Sequence, residues 1–229
     1  QKQGEIWGYE TYGLFQSEQE IAGAANQDKV SGGIKLMPGD IRFVDRNNDG
    51  VIDWGDNTVD NPGDKKIIGN STPRYHYGIN LGADWKGFDL GIFFQGVGKR
   101  DLYLPGTSFR SHYGSEWQVP SAYNNDYWTE ENTGAYFPRA RFNGGSAINQ
   151  AQTRYMVDAS YCRLKSVSIG YTLPKVLTQK ASIEKIRIYF TGENLFTISD
   201  TPDGLDPELD SPYTYPMQRS LSVGLSLTF

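Results

Sequence analysis

The final segment, Leu221 to Phe229, alternates without exception: Leu221, Val223, Leu225, Leu227 and Phe229 are aliphatic or aromatic, and Ser222, Gly224, Ser226 and Thr228 between them are small or polar. Successive side chains of a β-strand point to opposite faces, so this segment makes a strand with one apolar face and one small, polar face. Residues 75–85 repeat the pattern, with Tyr75, Tyr77, Ile79, Leu81, Ala83 and Trp85 on one side and His76, Gly78, Asn80, Gly82 and Asp84 on the other. Lys86-Gly87 then leads into residues 88–97, where Phe88, Leu90, Ile92 and Phe94 share a face. A two-residue link containing Gly between alternating segments predicts a tight hairpin.

Three more segments predict strands. Residues 161–173 place Val167, Ile169, Tyr171 and Leu173 on one side, and Leu164 breaks that phase, which predicts a bulge near Lys165. Residues 183–197 set Ile186, Ile188 and Phe190 against Arg187, Tyr189 and Thr191. Residues 5–15, with Trp7, Tyr9, Tyr12 and Phe15, form the weakest candidate. Residues 17–22 suit a short helical turn, and no long amphipathic helix is present. The connections run long (16–74), tight (86–87), long (98–160), short (174–182) and intermediate (198–218). In an up-and-down meander this alternation gathers the long loops at one end, as in outer-membrane barrels. Structureless loops longer than about 15 residues are uncommon in compact soluble domains.

The composition agrees with strands and turns: 15 Tyr and 26 Gly stand among 229 residues. No run of about 18 apolar residues exists, which excludes a membrane-spanning helix but not a membrane barrel, whose alternating strands average as polar. A formal net charge of −5 argues against nucleic acid as a partner. Cys162 is the only cysteine, so no internal disulfide can form, and its place in a strand suits a small apolar filler. The chain opens on Gln1 rather than Met, with no signal peptide ahead, as expected of a processed, trimmed or partial product. Six strands cannot close a membrane barrel, which needs about eight, and an open sheet would leave unpaired edges in lipid. The expected class is therefore all-β, either a soluble sheet or, favoured here, the C-terminal antiparallel strands of a larger outer-membrane barrel.

Residues 45–56 align with a twelve-residue calcium loop. Asp45, Asn47 and Asp49 take the first three ligand positions, Gly50 the sharp turn, Val51 the carbonyl position, Asp53 the position that acts through water, and Asp56 the last. Oxygen donors on alternate residues before a Gly turn can gather around one hard cation. The last position is Asp rather than Glu, which shortens its reach, and no helical pattern flanks the loop. The expected cofactor is a structural Ca2+ ion that stiffens a long loop; the competing reading is an acidic turn held by Asx hydrogen bonds.

Nothing reads as an enzyme. His76 and His112 are the only histidines and lack zinc spacing, and no G-x-S-x-G is present. Gly96-Val97-Gly98 precedes no helix, and Asp203, Asp206, Glu208 and Asp210 read as a solvated loop. Residues 98–160 carry Tyr103, Phe109, Tyr113, Trp117, Tyr123, Tyr127, Trp128, Tyr136 and Phe137. Trp117, Tyr123, Tyr127, Trp128 and Tyr136 are the candidate substrate contacts, through stacking on sugars or clamping of peptides; the alternative is that the aromatics pack the loop into a rigid cap.

The ordered motifs resemble a known family. Gly8-Tyr9, Gly13-Leu14-Phe15-Gln16-Ser17 and Pro38-Gly39-Asp40-Ile41-Arg42-Phe43 precede the acidic loop; Ile68-Gly69-Asn70, Pro73, Tyr77-Gly78 and Phe93-Phe94-Gln95-Gly96-Val97-Gly98 follow it. Then come Tyr127-Trp128-Thr129, Asn132, Pro138-Arg139, Tyr161 with Arg163-Leu164-Lys165, Gly170-Tyr171-Thr172-Leu173-Pro174, Gly192-Glu193-Asn194-Leu195-Phe196, Gly204-Leu205-Asp206-Pro207-Glu208 and the final Phe229. Over nearly its whole length the chain resembles the C-terminal part of a SusC/RagA-type TonB-dependent outer-membrane transporter of Bacteroidetes.

The resemblance implies a 22-stranded barrel closed by an N-terminal plug, and a SusD-like surface lipoprotein that caps it and helps capture glycans or peptides. It implies lipid around the strands, TonB acting through a missing N-terminal part, an aromatic C-terminus read by the barrel-assembly machinery, and residues 16–74 and 98–160 outside the cell. The whole of residues 1–229 would then be C-terminal barrel. Two other readings stand beside it: a soluble, calcium-stiffened β domain that binds carbohydrate through loop aromatics, and a structural or adhesive surface module.

Overall fold

The computed structural model describes residues 2–104, 126–140, 146–202, 204–209, 214–215 and 217–229. Its strands and helices begin with β1 (Glu5–Tyr9), β2 (Thr11–Leu14), α1 (Glu18–Ala22), α2 (Asp28–Ser31), β3 (Ile41–Phe43) and β4 (Lys65–Asn70). There follow β5 (Tyr75–Trp85), β6 (Phe88–Gly98), β7 (Asp101–Tyr103), β8 (Met156–Asp158), β9 (Tyr161–Thr172) and α3 (Lys175–Thr178). The last are β10 (Lys185–Glu193), β11 (Thr197–Ser199) and β12 (Ser220–Thr228). No helix among the described residues is long and apolar enough to cross a membrane, which says nothing of strands. The chain divides into two compact units, one of Gln1–Thr72 with Asp101–Val157 and one of Pro73–Arg100 with Asp158–Phe229.

The second unit is an antiparallel sheet in the order β12-β10-β9-β6-β5, with β11 also on β9. Lys86 and Gly87 turn the β5–β6 hairpin with φ of 48° and 89°, and Trp85 pairs with Phe88. Positive φ at both positions is what a type I′ turn requires. The register between β6 and β9 shifts at Phe93/Phe94, whose partners are Ser166 and Leu164, so Lys165 is the extra residue. The predicted bulge is thus present. It returns Leu164 to the side of Phe94 after the phase break.

Residues 183–197 do not run as one strand. Asn194 has φ 51°, and the chain steps across the bulge: the Asn194 N–H donates to the Lys165 carbonyl (3.1 Å) and the Leu164 N–H to the Phe196 carbonyl (3.0 Å). β11 then continues along β9, with Thr197 opposite Arg163 and Ser199 opposite Tyr161.

Pairing aligns the apolar positions into rows. One row is Leu225, Ile188, Tyr171, Phe88 and Trp85; the next is Val223, Phe190, Ile169, Leu90 and Ala83. Directly opposite residues project to the same face, so one face of the sheet is continuously apolar. It stays open: Leu81 is 53% exposed, Leu225 59% and Val223 78%. The opposite face carries Asp89, Ser168, Tyr189, Thr191, Ser222 and Ser226. There Arg187 donates to Asp89, its Nε at 2.9 Å, in a bidentate pair across β9. Gly170 makes the room, since a Cβ would stand 2.5 Å from Asp89 and 2.6 Å from Arg187.

The first unit corrects one expectation. Residues 5–15 do not join the large sheet. They break at Glu10 into β1, paired antiparallel with β4, and β2, paired with β3. The reason is burial: Gly8 lies against the Ala151 carbonyl with no room for a Cβ, and Tyr9 and Phe15 are fully buried. These rings, with Val30, Ile41, Ile52, Ile148 and Tyr155, form the core of this unit. Residues 16–74 therefore are not a bare loop. The predicted turn at residues 17–22 is α1, with Ser17 as N-cap accepting from the Glu20 N–H.

Candidate functional site

Chemistry-bearing side chains gather in three places: an ion cluster in the sheet unit, and the aromatic and acidic segments of the first unit. The ion cluster overturns the reading of the 203–210 carboxylates as a solvated loop. Arg163 on β9 donates from Nη1 to Glu208 and from Nη2 to Asp206, each at 2.7 Å, and from Nε to Thr197 at 2.7 Å. Lys165 (2.8 Å) and the Tyr161 hydroxyl (2.9 Å) also donate to Glu208. The Arg163 side chain is 4% exposed, Asp206 6% and Glu208 10%. Burial alone would raise the Asp206 carboxyl; the Arg163 guanidinium and the N–H groups of Glu208 and Met217 outweigh it and hold its pKa below the ordinary value. A buried carboxylate pair is tolerable only with such partners. The cluster clips the segment before β12 onto β9. Asp203 and Asp210 lie outside the described residues. The signal in the sequence was Arg163 and Lys165 flanking the phase break at Leu164, two cations inside a strand.

Of the aromatic candidates, Trp117 and Tyr123 lie outside the described residues. Trp128 is 3% exposed. Its ring covers Gly39, its Nε1 donates to Gln16 at 3.2 Å, and Arg139 stacks over it. No ring face is left for a substrate, so Trp128 supports the segment instead. Tyr136 packs edge-on against Phe137 and Tyr155, and its hydroxyl donates to the Arg154 carbonyl at 2.7 Å. Burial raises the Tyr136 phenol above its ordinary value. Tyr127 bridges to Phe137 and is half exposed. Asp126 ties the turn together by accepting from Asn132 Nδ2 (2.9 Å) and the Tyr136 N–H (3.0 Å), which lower its pKa. Among the described aromatics, packing into a rigid body accounts for Trp128, whereas Tyr136 packs on its neighbours and is still 36% exposed.

The acidic segment splits into two halves. Asp45 accepts from the N–H groups of Asn48 (2.7 Å) and Gly50 (2.8 Å), Asn47 from Asp49 (3.1 Å) and Asp49 from Val51 (2.8 Å). Gly50 has φ 84°, so the expected sharp turn is made there. The second half goes elsewhere. Asp53 pairs with Lys29 at 2.7 Å, which, with the Gly55 N–H, lowers its pKa. Asp56 accepts from Asn61 at 2.9 Å. Buried Asp64, between the N–H groups of Arg46 and Asp53, fixes the ends of the segment. Among the described residues no group of three or more His, Cys, Asp or Glu is placed to hold a metal ion. Of the six residues Asp45, Asn47, Asp49, Val51, Asp53 and Asp56, the first four stand about the turn at Gly50, whereas Asp53 and Asp56 are engaged by Lys29 and Asn61.

No family model matches the chain. The TonB-dependent receptor P3 of Formosa agariphila is 31% identical over 244 residues, covering 99% of this chain. Over nearly its whole length the chain is homologous to TonB-dependent receptors, SusC among them. It spans 22% of the length of P3. SusC of Bacteroides thetaiotaomicron is 29% identical over 192 residues, which is 82% of this chain and 17% of that receptor. In fold it is similar to the RagAB peptide transporter, with a TM-score of 0.70 at 22% identity over 98% of this chain and 22% of that one. RagAB in its closed-closed state gives 0.66. The SusC/RagA-type receptors are outer-membrane barrel proteins, and these relatives are receptors and transporters rather than enzymes. An outward apolar face is what the lipid-facing exterior of a membrane barrel carries.

Proposed function

We propose that this chain is the C-terminal barrel portion of an outer-membrane importer of oligosaccharides or peptides. A SusD-like lipoprotein caps it, and TonB drives it through an N-terminal part that this chain does not contain. Residues 16–74 and 98–160 are on the extracellular side, where substrate and lipoprotein arrive. The observation that carries this reading is the row-by-row apolar face across five paired strands, with polar side chains on the other side. A soluble carbohydrate-binding module has no use for such a face.

The test is nutrient uptake by cells lacking the full-length gene, with labelled oligosaccharides and labelled peptides as separate arms. Loss of one arm, restored by the intact gene, names the substrate class. Unchanged uptake in both arms, or recovery of the full-length protein in the soluble fraction without detergent, overturns the reading. Co-purification of a surface lipoprotein from solubilised membranes tests the partner.

For the acidic segment the proposal is a calcium ion held by Asp45, Asn47, Asp49 and the Val51 carbonyl, with Asp53 and Asp56 outside the shell. The turn at Gly50 and the exposed carboxylates support it. Calcium titrated into chelated full-length protein then gives heat that the Asp45→Ala, Asp49→Ala double variant lacks. Absence of heat up to millimolar calcium leaves the Asx turn as the whole account.

A further inference from the structure

A pocket of about 320 Å3 in the first unit is lined by Tyr12, Gln16, Glu20, Arg42, Thr133 and Arg154, with Gly13, Leu14, Gly134 and Ala135 between them. Its size sits at the low end of small-ligand pockets, about 300–1,000 Å3. The β2–β3 register slips between Thr11 and Gly13, which makes Tyr12 the extra residue of a β-bulge, and Gly13 supports it with φ 143°. Bulges re-aim side chains and are frequent beside functional sites. This one leaves the Tyr12 ring 71% exposed, above the Arg42 guanidinium at 4.5 Å.

Arg42 is the unexplained group. Its guanidinium lies near the Tyr12 ring and, at 5.8 Å, the buried Phe15 ring, and among the described residues it has neither an ion pair nor a hydrogen bond from its side chain. Both rings lie within about 6 Å of it, and among the described residues no acceptor takes its N–H groups. Arg154 brings a second cation to the pocket; its side chain donates to the Ala135 and Tyr136 carbonyls and lies over the Tyr136 ring. The one carboxylate in the lining, Glu20, already accepts from the Gln16 N–H at 2.9 Å as part of the cap of α1.

We propose that this pocket binds an acidic sugar residue, its carboxylate paired with Arg42 and its ring against Tyr12. A guanidinium edge matches a carboxylate in bidentate fashion, and an exposed aromatic ring offers a sugar its apolar face. The lining favours a sugar over a peptide. Among the described lining residues Leu14 and Ala135 are the only aliphatic side chains, whereas backbone groups and Thr133 suit hydroxyls. The proposal rests on the reading that this unit is extracellular, yet it concerns binding and not transport.

The test is calorimetric titration of the full-length receptor in detergent with a galacturonate trisaccharide, its carboxyl-reduced neutral counterpart and an acidic tripeptide. The expected result is binding of the acidic sugar at least tenfold tighter than either of the others. Arg42→Gln removes that preference, Arg42→Lys keeps part of it, and unfolding curves of both variants match the parent. Equal binding of acidic and neutral sugars, tighter binding of the tripeptide, an unchanged Arg42→Gln variant, or no heat from any ligand overturns the assignment. Uptake measured separately keeps its fate distinct from that of the importer reading.

Discussion

Val223 in the sheet unit is 78% exposed, and Phe15 in the first unit is fully buried. Both belong to one chain with one composition, yet the two units place their apolar residues by opposite rules. The sheet turns its aliphatic and aromatic rows outward and keeps glycine, serine and ion pairs on the other face. The first unit folds its rings inward and shows charges and Asx turns. On the barrel reading proposed above, the difference is the solvent. Lipid rewards an apolar exterior and demands that every backbone group pair within the sheet, whereas water rewards a closed core. A chain that must stand in both therefore carries two legible codes, alternation for the first and aromatic burial for the second.

The sharpest way to break that comparison is to truncate one residue of each kind. Phe15→Ala opens a cavity in a packed core and costs about 3–5 kcal/mol, read from urea unfolding of the full-length protein in detergent. Leu225→Ala replaces a lipid contact with a smaller one and costs well under half of that. Equal costs would mean that the sheet's apolar face packs on protein, and the lipid assignment would fall. Arg163→Ala strikes the ion cluster. It leaves Asp206 a buried charge without its cation while Glu208 keeps Lys165, for about 3–5 kcal/mol, and frees the segment before β12 to proteolysis. A variant no more cleavable than the parent would show that the cluster clips nothing.

Charge placement comes next. Val223→Arg and Ser222→Arg are neighbours on one strand with opposite faces. On the lipid face an arginine costs about 2–4 kcal/mol at the bilayer midplane and less near its edges; on the polar face the same residue is close to neutral. Assembly into the outer membrane, followed by fractionation, should fail or weaken for the first alone. Similar behaviour of the two variants would remove the distinction between faces.

How far these assignments could be read from the sequence depended on where each signal was stored. The β5–β6 hairpin, the Lys165 bulge and the turn at residues 17–22 rest on neighbours within a few residues, and the local pattern or its break displayed them. Residues 5–15 misled because Trp7, Tyr9, Tyr12 and Phe15 look like a strand for the large sheet. Their true partners, residues 65–70 and 41–43, are too short to show a period of their own. The ion cluster was hidden for a similar reason: Arg163 and Asp206 stand 43 positions apart, so the carboxylates carried no sign of their partner. Arg42 left no periodic trace either. Only the bulge at Tyr12, visible in the pairing, shows what its guanidinium faces.

The smallest effect is a titration, and it separates two parts of the sheet unit by pH, the ion cluster and the strand ladder. Asp206 has its folded pKa below the unfolded value of about 3.9. A depressed carboxylate contributes stability that is complete above the unfolded value and disappears as pH falls through the folded one. The Glu208 and Met217 N–H groups, which donate to Asp206 at 2.9 and 3.1 Å, report on it directly. Their hydrogen-exchange protection in the full-length protein should hold down to about pH 4 and fade below it, while protection along the β10–β12 ladder persists, because backbone pairs carry no titrating group. Loss of protection at Met217 already between about pH 6 and 5 would contradict the depressed carboxyl and place Asp206 outside the reach of Arg163. Loss at both sites together would mean that the clip and the sheet open as one unit, and that the segment before β12 is as much a part of the barrel wall as the strands it joins.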